Sequence, residues 1–382
     1  MGILNKFKEL AKKLNRDRLV QSSDEINQKQ TAGKNSQQVQ VGTVIVNQGI
    51  TEERARDVFA EMIPKALKEY TEEAYSTAND RIAKLEKIVI PKIVEIDNTL
   101  SSFMDPAFQF LLRKAQQTAA VTEREIDYSL LSELILCHIQ EGTNRKNRIG
   151  ISKAMEIVDD IDNDALCALT VSHAINHFAP VTGNIEEGLK VLNNIFDKLM
   201  YTELPIDQEW VDHLDVLGAI RVSFGSFKKL EEYYSEKLNG YVCVGIHKDS
   251  DEYKKAIELL DSVNINKGVL VRNELIDGYV RLNIVSKESI SNLLSQQDMS
   301  SRPINETEKV ILEKIFEMYS KDVSLINIAK NEFLCLWESF SALRKIRIWW
   351  NSIPQAFSIT KVGSVLAHTN AKRCDPDLPD LL

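Results

Sequence analysis

TEERARDVFAEMIPKALKEYTEEAYSTANDRIAKLEKIVI, residues 51–90, decides the fold. Its apolar residues Ala55, Val58, Phe59, Met62, Ala66, Tyr70, Ala74, Ala78, Ile82, Leu85 and Val89 recur mostly at three- and four-residue steps. That spacing lines one face of an α-helix. Thr51 is placed to cap it, and Glu52 and Glu53 sit in the first turn, where carboxylates meet the positive end of the helix dipole. Pro64 should kink the helix, and Pro91 should break or restart it. No glycine occurs between Gly49 and Gly142, an absence that favours long helices. Helical spacing continues through 93–103, 106–120 and 122–141. The loop 142–150 (GTNRKNRIG) leads to helices near 151–159, 164–178 and 185–200, with Asp164 as a cap. Residues 51–200 therefore read as an α-helical domain.

Working outward toward the C-terminus, residues 201–382 read as an α+β region. Short β-rich stretches appear at 214–222, 241–246, 269–271 with 279–285, and 346–350 with 356–359. LVRNELIDGYVRL, residues 270–282, reads as a hairpin, and 305–319 as a helix in which Asn305 and Glu308 form a capping box. Helix, hairpin and further helix over 252–295 and again over 331–372 suggest two winged-helix-like units. Thr360 should cap a last helix, and Gly363 should let it approach the preceding strand closely. The fold class expected is mostly α: a long-helix bundle, then an α+β region with short hairpins.

Working toward the N-terminus, three unlike segments precede the bundle. Residues 1–20 read as a cationic amphipathic helix, with Ile3, Phe7, Leu10 and Leu14 forming its stripe. Six basic residues there face two acidic ones, whereas the rest of the chain is acidic. Such a helix is too polar to span a bilayer but suited to its interface. Ile3, Leu4, Phe7, Leu10 and Leu14, with Lys6 and Lys13, are the residues expected to touch a membrane or a partner; packing against the chain's own body competes with this. Residues 21–38, rich in Gln, Asn and Ser, read as a flexible tether. Residues 39–50 alternate, with Val39, Val41, Val44 and Val46 around Gly42-Thr43, and read as a β-hairpin. A lone hairpin is marginal in water, so it needs further strands. Other copies of the chain are the simplest source. Val58, Phe59 and Met62 on the adjacent helix are the expected companions in that assembly.

Composition narrows the function. A net charge of −9 over 382 residues argues against general affinity for nucleic acid. Five scattered cysteines suit reduced thiols in a cytoplasm, and neither a transmembrane run nor a signal peptide is read. His173 and His177 stand at the i, i+4 separation that lets two imidazoles share a metal, with Cys137, His138 and Cys167 as conceivable further ligands. The intervening residues lack the glutamate of a zinc-protease helix, so structural histidines are favoured and no cofactor is expected. Asp160, Asp162 and Asp164 start like a calcium loop, but Ala165 and Val171 stand where it needs glycine and glutamate. Gly218, Gly225 and Gly240 form no phosphate-cradling motif. Arg344, Lys345 and Arg347 beside Trp349 and Trp350 could stack and pair with nucleic acid, although such apolar members more often face a core.

Three stretches carry a resemblance. They are NSQQVQVG at 35–42; Asp57-Val58-Phe59 with Glu73-Ala74, Ala78 and Arg81; and ITKVGSVLAHTN at 359–370. In these the chain resembles an uncharacterised bacterial family, named only by locus tags and associated with phage-defence settings. It departs from the pattern at Val41-Gly42-Thr43, where two glycines and an acid are common. The resemblance implies a cytoplasmic bacterial defence or stress effector and supplies no catalytic residues. The leading expectation is a non-enzymatic homo-oligomer that engages an anionic membrane surface or a partner, such as a phage or host protein trigger. The alternative is a protein- or nucleic-acid-binding module built on the winged-helix-like units.

Overall fold

Thr51 opens the first helix, α1 (Glu52–Ala66), by accepting a hydrogen bond from the Arg54 amide at 3.2 Å. The computed structural model describes residues 49–380 except 67–70, 142–143 and 298–299. Expectations for residues 1–48, the amphipathic helix, the tether and most of the hairpin, lie outside the described residues. The single long helix foreseen over 51–90 is two: α1, and α2 (Glu72–Ile96), which Thr71 caps. Pro91 does not break α2, a correction to the sequence reading. It stands on the exposed face, where water can meet the carbonyl that a proline leaves unpaired, while Val89, Ile90 and Ile93 anchor the other face in the core.

Asp105 caps α3 (Pro106–Val121), with proline at the first helical position, where no amide partner is lost. Then come α4 (Glu125–Glu141), α5 (Arg145–Glu156), α6 (Asn163–His177) and α7 (Ile185–Leu199). Two local readings are corrected. Much of the stretch 142–150 is helix rather than loop, because the Asn144 side chain accepts from the Lys146 amide at 2.9 Å and starts α5 early. Asp162, not Asp164, occupies the cap position of α6.

The second half alternates short elements: α8 (Glu209–Val216), β1 (Ile220–Val222), α9 (Leu230–Lys237), β2 (Ile246–His247), α10 (Asp251–Ser262), β3 (Leu270–Arg272) and β4 (Tyr279–Leu282). After them run β5 (Leu294–Gln297), β6 (Ser300–Pro303), α11 (Glu306–Glu317), α12 (Val323–Ser339), α13 (Ser341–Ser352), β7 (Phe357–Ile359) and α14 (Lys361–Cys374). The chain is thus mostly helical, with three small antiparallel sheets among the described residues, ordered β1-β7, β2-β4-β3 and β5-β6. The 270–282 hairpin forms, with Leu270 opposite Leu282, and Asn305 and Glu308 make their reciprocal capping box. The second expected hairpin does not form. Residues 346–350 lie within α13, and β7 pairs instead with β1, Ile359 opposite Ile220. Most of 214–222 is likewise helix and turn rather than strand.

The described residues from 49 onward form one compact unit, with contacts running across residue 200. The reason is α14, which returns to pack on α4, α5 and α6 and buries Val365, Leu366, Ala367 and Ala371 among them. Asn370 on α14 donates to Thr170 at 2.8 Å and to the Tyr201 hydroxyl at 3.1 Å, joining the last helix to α6 and to the segment after α7 by a polar network. Gly363 makes the approach possible: a Cβ there would lie 2.0 Å from the Ala219 carbonyl oxygen and 3.1 Å from Ile359 Cγ2. A smaller second core, including Ala256, Leu260, Val280, Leu282, Ile290 and Ile315, lies under the β2-β4-β3 sheet. No helix among the described residues is long and apolar enough to cross a membrane.

Candidate functional site

The two histidines singled out by spacing do meet, and a third joins them from the far end of the chain. His173 and His177 stack on α6 with ring centroids 4.1 Å apart, and His173 Nε2 lies 3.3 Å from His368 Nδ1 on α14. His173 and His368 are both buried. Burial, reinforced by neighbouring imidazoles, pulls His173 down to about 3, and burial, against a backbone hydrogen bond at Pro379, pulls His368 down to about 4. Both rings are therefore neutral near pH 7, so one can donate to the other across the α6–α14 contact. Cys167 Sγ is turned to the Leu199 carbonyl at 3.4 Å. Among the described residues no group of three or more His, Cys, Asp or Glu side chains could hold a metal ion. The arrangement suits a latch between two helices.

A different constellation lies between α3, α4 and α5. Ala107, Phe110 and Leu111 come from one face of α3, His138 from α4, and Arg145, Arg148, Ile149, Ser152 and Lys153 from one face of α5. The helical spacing of each set explains why these side chains share a cleft. Its volume is about 420 Å³, within the range of small-ligand sites. Three cations and no carboxylate line it, on a chain whose net charge is −9. Lys153 pairs with Glu156 at 2.6 Å, and Glu156 also meets Lys114. For Arg145 and Arg148 no carboxylate partner exists among the described residues.

His138 is 7% exposed, and its Nδ1 has no hydrogen-bond partner among the described residues. Burial draws this imidazole below its ordinary value; Asp105 opposes that, and Arg148 adds to it. Phe110 and Ile149 are 53% and 58% exposed, apolar surface left open beside the cations. The sequence held a partial signal. RKNR at 145–148 was visible, but reading it as loop hid the helical face it shares with Ile149, Ser152 and Lys153.

The remaining site residues fall as follows. Ile3, Leu4, Lys6, Phe7, Leu10, Lys13, Leu14, Val39, Val41, Val44 and Val46 lie outside the described residues. Val58 is half-buried, while Phe59 and Met62 are buried in the chain's own core. The Gln116 side-chain amide donates to the Phe59 carbonyl at 3.0 Å and fixes α1 further. Phe59 and Met62 thus pack within the body of their own chain. In the basic-aromatic cluster Trp349 and Trp350 are buried and donate to Pro205 and Lys228 carbonyls at 2.8 and 3.0 Å. Arg347 is tied to Glu338 at 2.5 Å. These indoles cannot serve as stacking platforms for nucleic acid without opening the core.

A family model matches residues 49–379 of the chain. No curated protein and no solved structure matches it.

Proposed function

The chain belongs to the uncharacterised family matched over residues 49–379, and on that premise we propose a two-part, non-enzymatic effector. The helical body recognises a signal, and residues 1–48 gather copies and engage an anionic membrane surface or a partner. The observation that carries this reading is where the family match starts. The family match begins at 49, so the cationic stripe and the alternating valines fall together before it.

Membrane attraction of about 1 kcal/mol per basic residue is weak for one copy. Linking several copies raises overall avidity by roughly 10²–10⁴-fold without any new contact. Assembly through 39–48 would thus convert a poor single-copy amphiphile into firm engagement. A cytoplasmic location with peripheral attachment, and a role in bacterial defence or stress, follow from the same reading together with the family resemblance. The test is flotation with vesicles containing phosphatidylserine. The full chain should float and residues 49–382 should not, and substituting Phe7 and Leu10 by Ser should abolish flotation while leaving assembly intact. Equal flotation of the full chain and residues 49–382 would remove the membrane part of the proposal.

A further inference from the structure

We propose that the cleft between α3, α4 and α5 is a nucleotide-binding site, built for an organic phosphate that carries a flat apolar base. Charge is the first argument. Arg145, Arg148 and Lys153 converge on it with no lining carboxylate, and guanidinium groups are matched to phosphate oxygens by their planar fork of donors. Of these cations Lys153 is paired with Glu156 at 2.6 Å, which leaves the two arginines as the open charges, and Asp105 is engaged in capping the Ala107 amide at 3.0 Å.

The apolar flank is the second argument. Phe110 on α3 and Ile149 on α5 stand on the two helices beside those cations, both more than half exposed. A free inorganic anion would leave this surface wet, whereas a base would cover it and stack on the Phe110 ring. An acidic peptide would answer the charge but makes no use of a single ring beside an open cleft of about 420 Å³.

The third argument is independent of both. Buried polar atoms in native proteins almost always find partners, and His138 Nδ1 has none among the described residues although the side chain is more than nine-tenths buried and lines the cleft. Nδ1 is itself closed off from solvent, so the imidazole must turn about its χ2 bond before a ribose hydroxyl or a base edge can pair with it. Phosphate for the arginines, base for Phe110 and Ile149, and a polar edge for His138 together describe one ligand class. The inference concerns the body alone and stands whether or not residues 1–48 assemble copies.

The experiment is isothermal titration of the full-length protein with ATP, GTP, CTP and UTP in turn, then with inorganic phosphate and the matching nucleosides. At least one nucleotide should bind measurably more tightly than either its nucleoside or phosphate alone. Arg145→Gln with Arg148→Gln should weaken that binding by roughly tenfold to a hundredfold, the loss expected for charge-assisted hydrogen bonds. Phe110→Ala should weaken it while leaving the salt dependence unchanged, and Lys254→Gln, on exposed α10, should have no effect. All these side chains are at least partly exposed, and unaltered thermal melts will confirm folding. Failure of every nucleotide to bind at millimolar concentration overturns the inference. So does binding that the arginine pair does not affect, or a preference for a poly-glutamate peptide over nucleotides.

Discussion

Arg281→Met should be among the most damaging single substitutions in the body, and the structure gives its size. Arg281 is fully buried on β4. Its Nε and Nη2 donate to the two oxygens of Glu274 at 2.9 and 2.8 Å, Nη2 also to the Gly183 carbonyl at 2.7 Å, and Nη1 to the Leu282 carbonyl at 3.1 Å. The guanidinium also lies 5.6 Å from the Tyr241 ring centroid. One side chain thus ties the segment following α6 to the sheet over the second core. Methionine restores much of the packing but leaves a carboxylate and carbonyls without their donor. Breaking one side of a buried ion pair costs about 3–5 kcal/mol. Glu274 is 31% exposed and can partly rehydrate, so the lower end of that range, about 3 kcal/mol, is expected. That is a large fraction of the ~5–15 kcal/mol by which domains are stable. Urea denaturation followed by circular dichroism and tryptophan fluorescence measures it. Adding Glu274→Gln should recover part of the loss, since the orphaned charge disappears. A cost below about 1 kcal/mol, or strict additivity of the two substitutions, would refute the reasoning.

The buried imidazoles set an acid limit. His173 and His368 titrate at about 3 and about 4 in the folded chain and near 6.5 unfolded. Their contribution is therefore complete above pH 6.5 and is lost as pH falls, because only the unfolded chain takes up the protons. Between pH 6.5 and 5 the loss should approach roughly 2 kcal/mol per ring, and His368→Gln should flatten that slope in urea midpoints taken at several pH values. Gly363→Ala should cost about 1–3 kcal/mol in the same assay by driving a methyl into the Ala219 carbonyl; a neutral result would mean that α14 can shift freely. Asn305→Ala should cost about 1 kcal/mol by removing the side-chain bond to the Glu308 amide at 3.0 Å, with hydrogen exchange quickening in the first turn of α11.

Local chemistry was legible where one interaction dominates. Thr51, Asn305 and Thr360 accept from amides three residues on, and such caps are written in adjacent residues. The 270–282 hairpin was equally plain. What failed was period in short apolar runs. RIWW at 347–350 looked like a strand because Ile346, Ile348 and Trp350 alternate with other residues. The burial of Ala342, Leu343, Ile346, Trp349 and Trp350, with Ile348 60% exposed, shows the helical stripe that packs instead. Partners far away in the chain were beyond reach. Nothing near His173 announces His368, and nothing near Ile220 announces Ile359. The cationic cleft was missed for the same reason, since three helices contribute to it and one was read as a loop. The helical spacing of Phe59 and Met62 marks burial, and the structure supplies what spacing lacks, the chain's own core as the surface they pack on.

Native mass spectrometry of the full chain beside residues 49–382 tests the two-part account most directly. The account predicts a multimer for the full chain and a monomer for the shortened one, with Val41→Asp or Val44→Asp in the full chain giving the monomer too. A full chain that stays monomeric across the concentration range, or a shortened chain that assembles equally well, would contradict it.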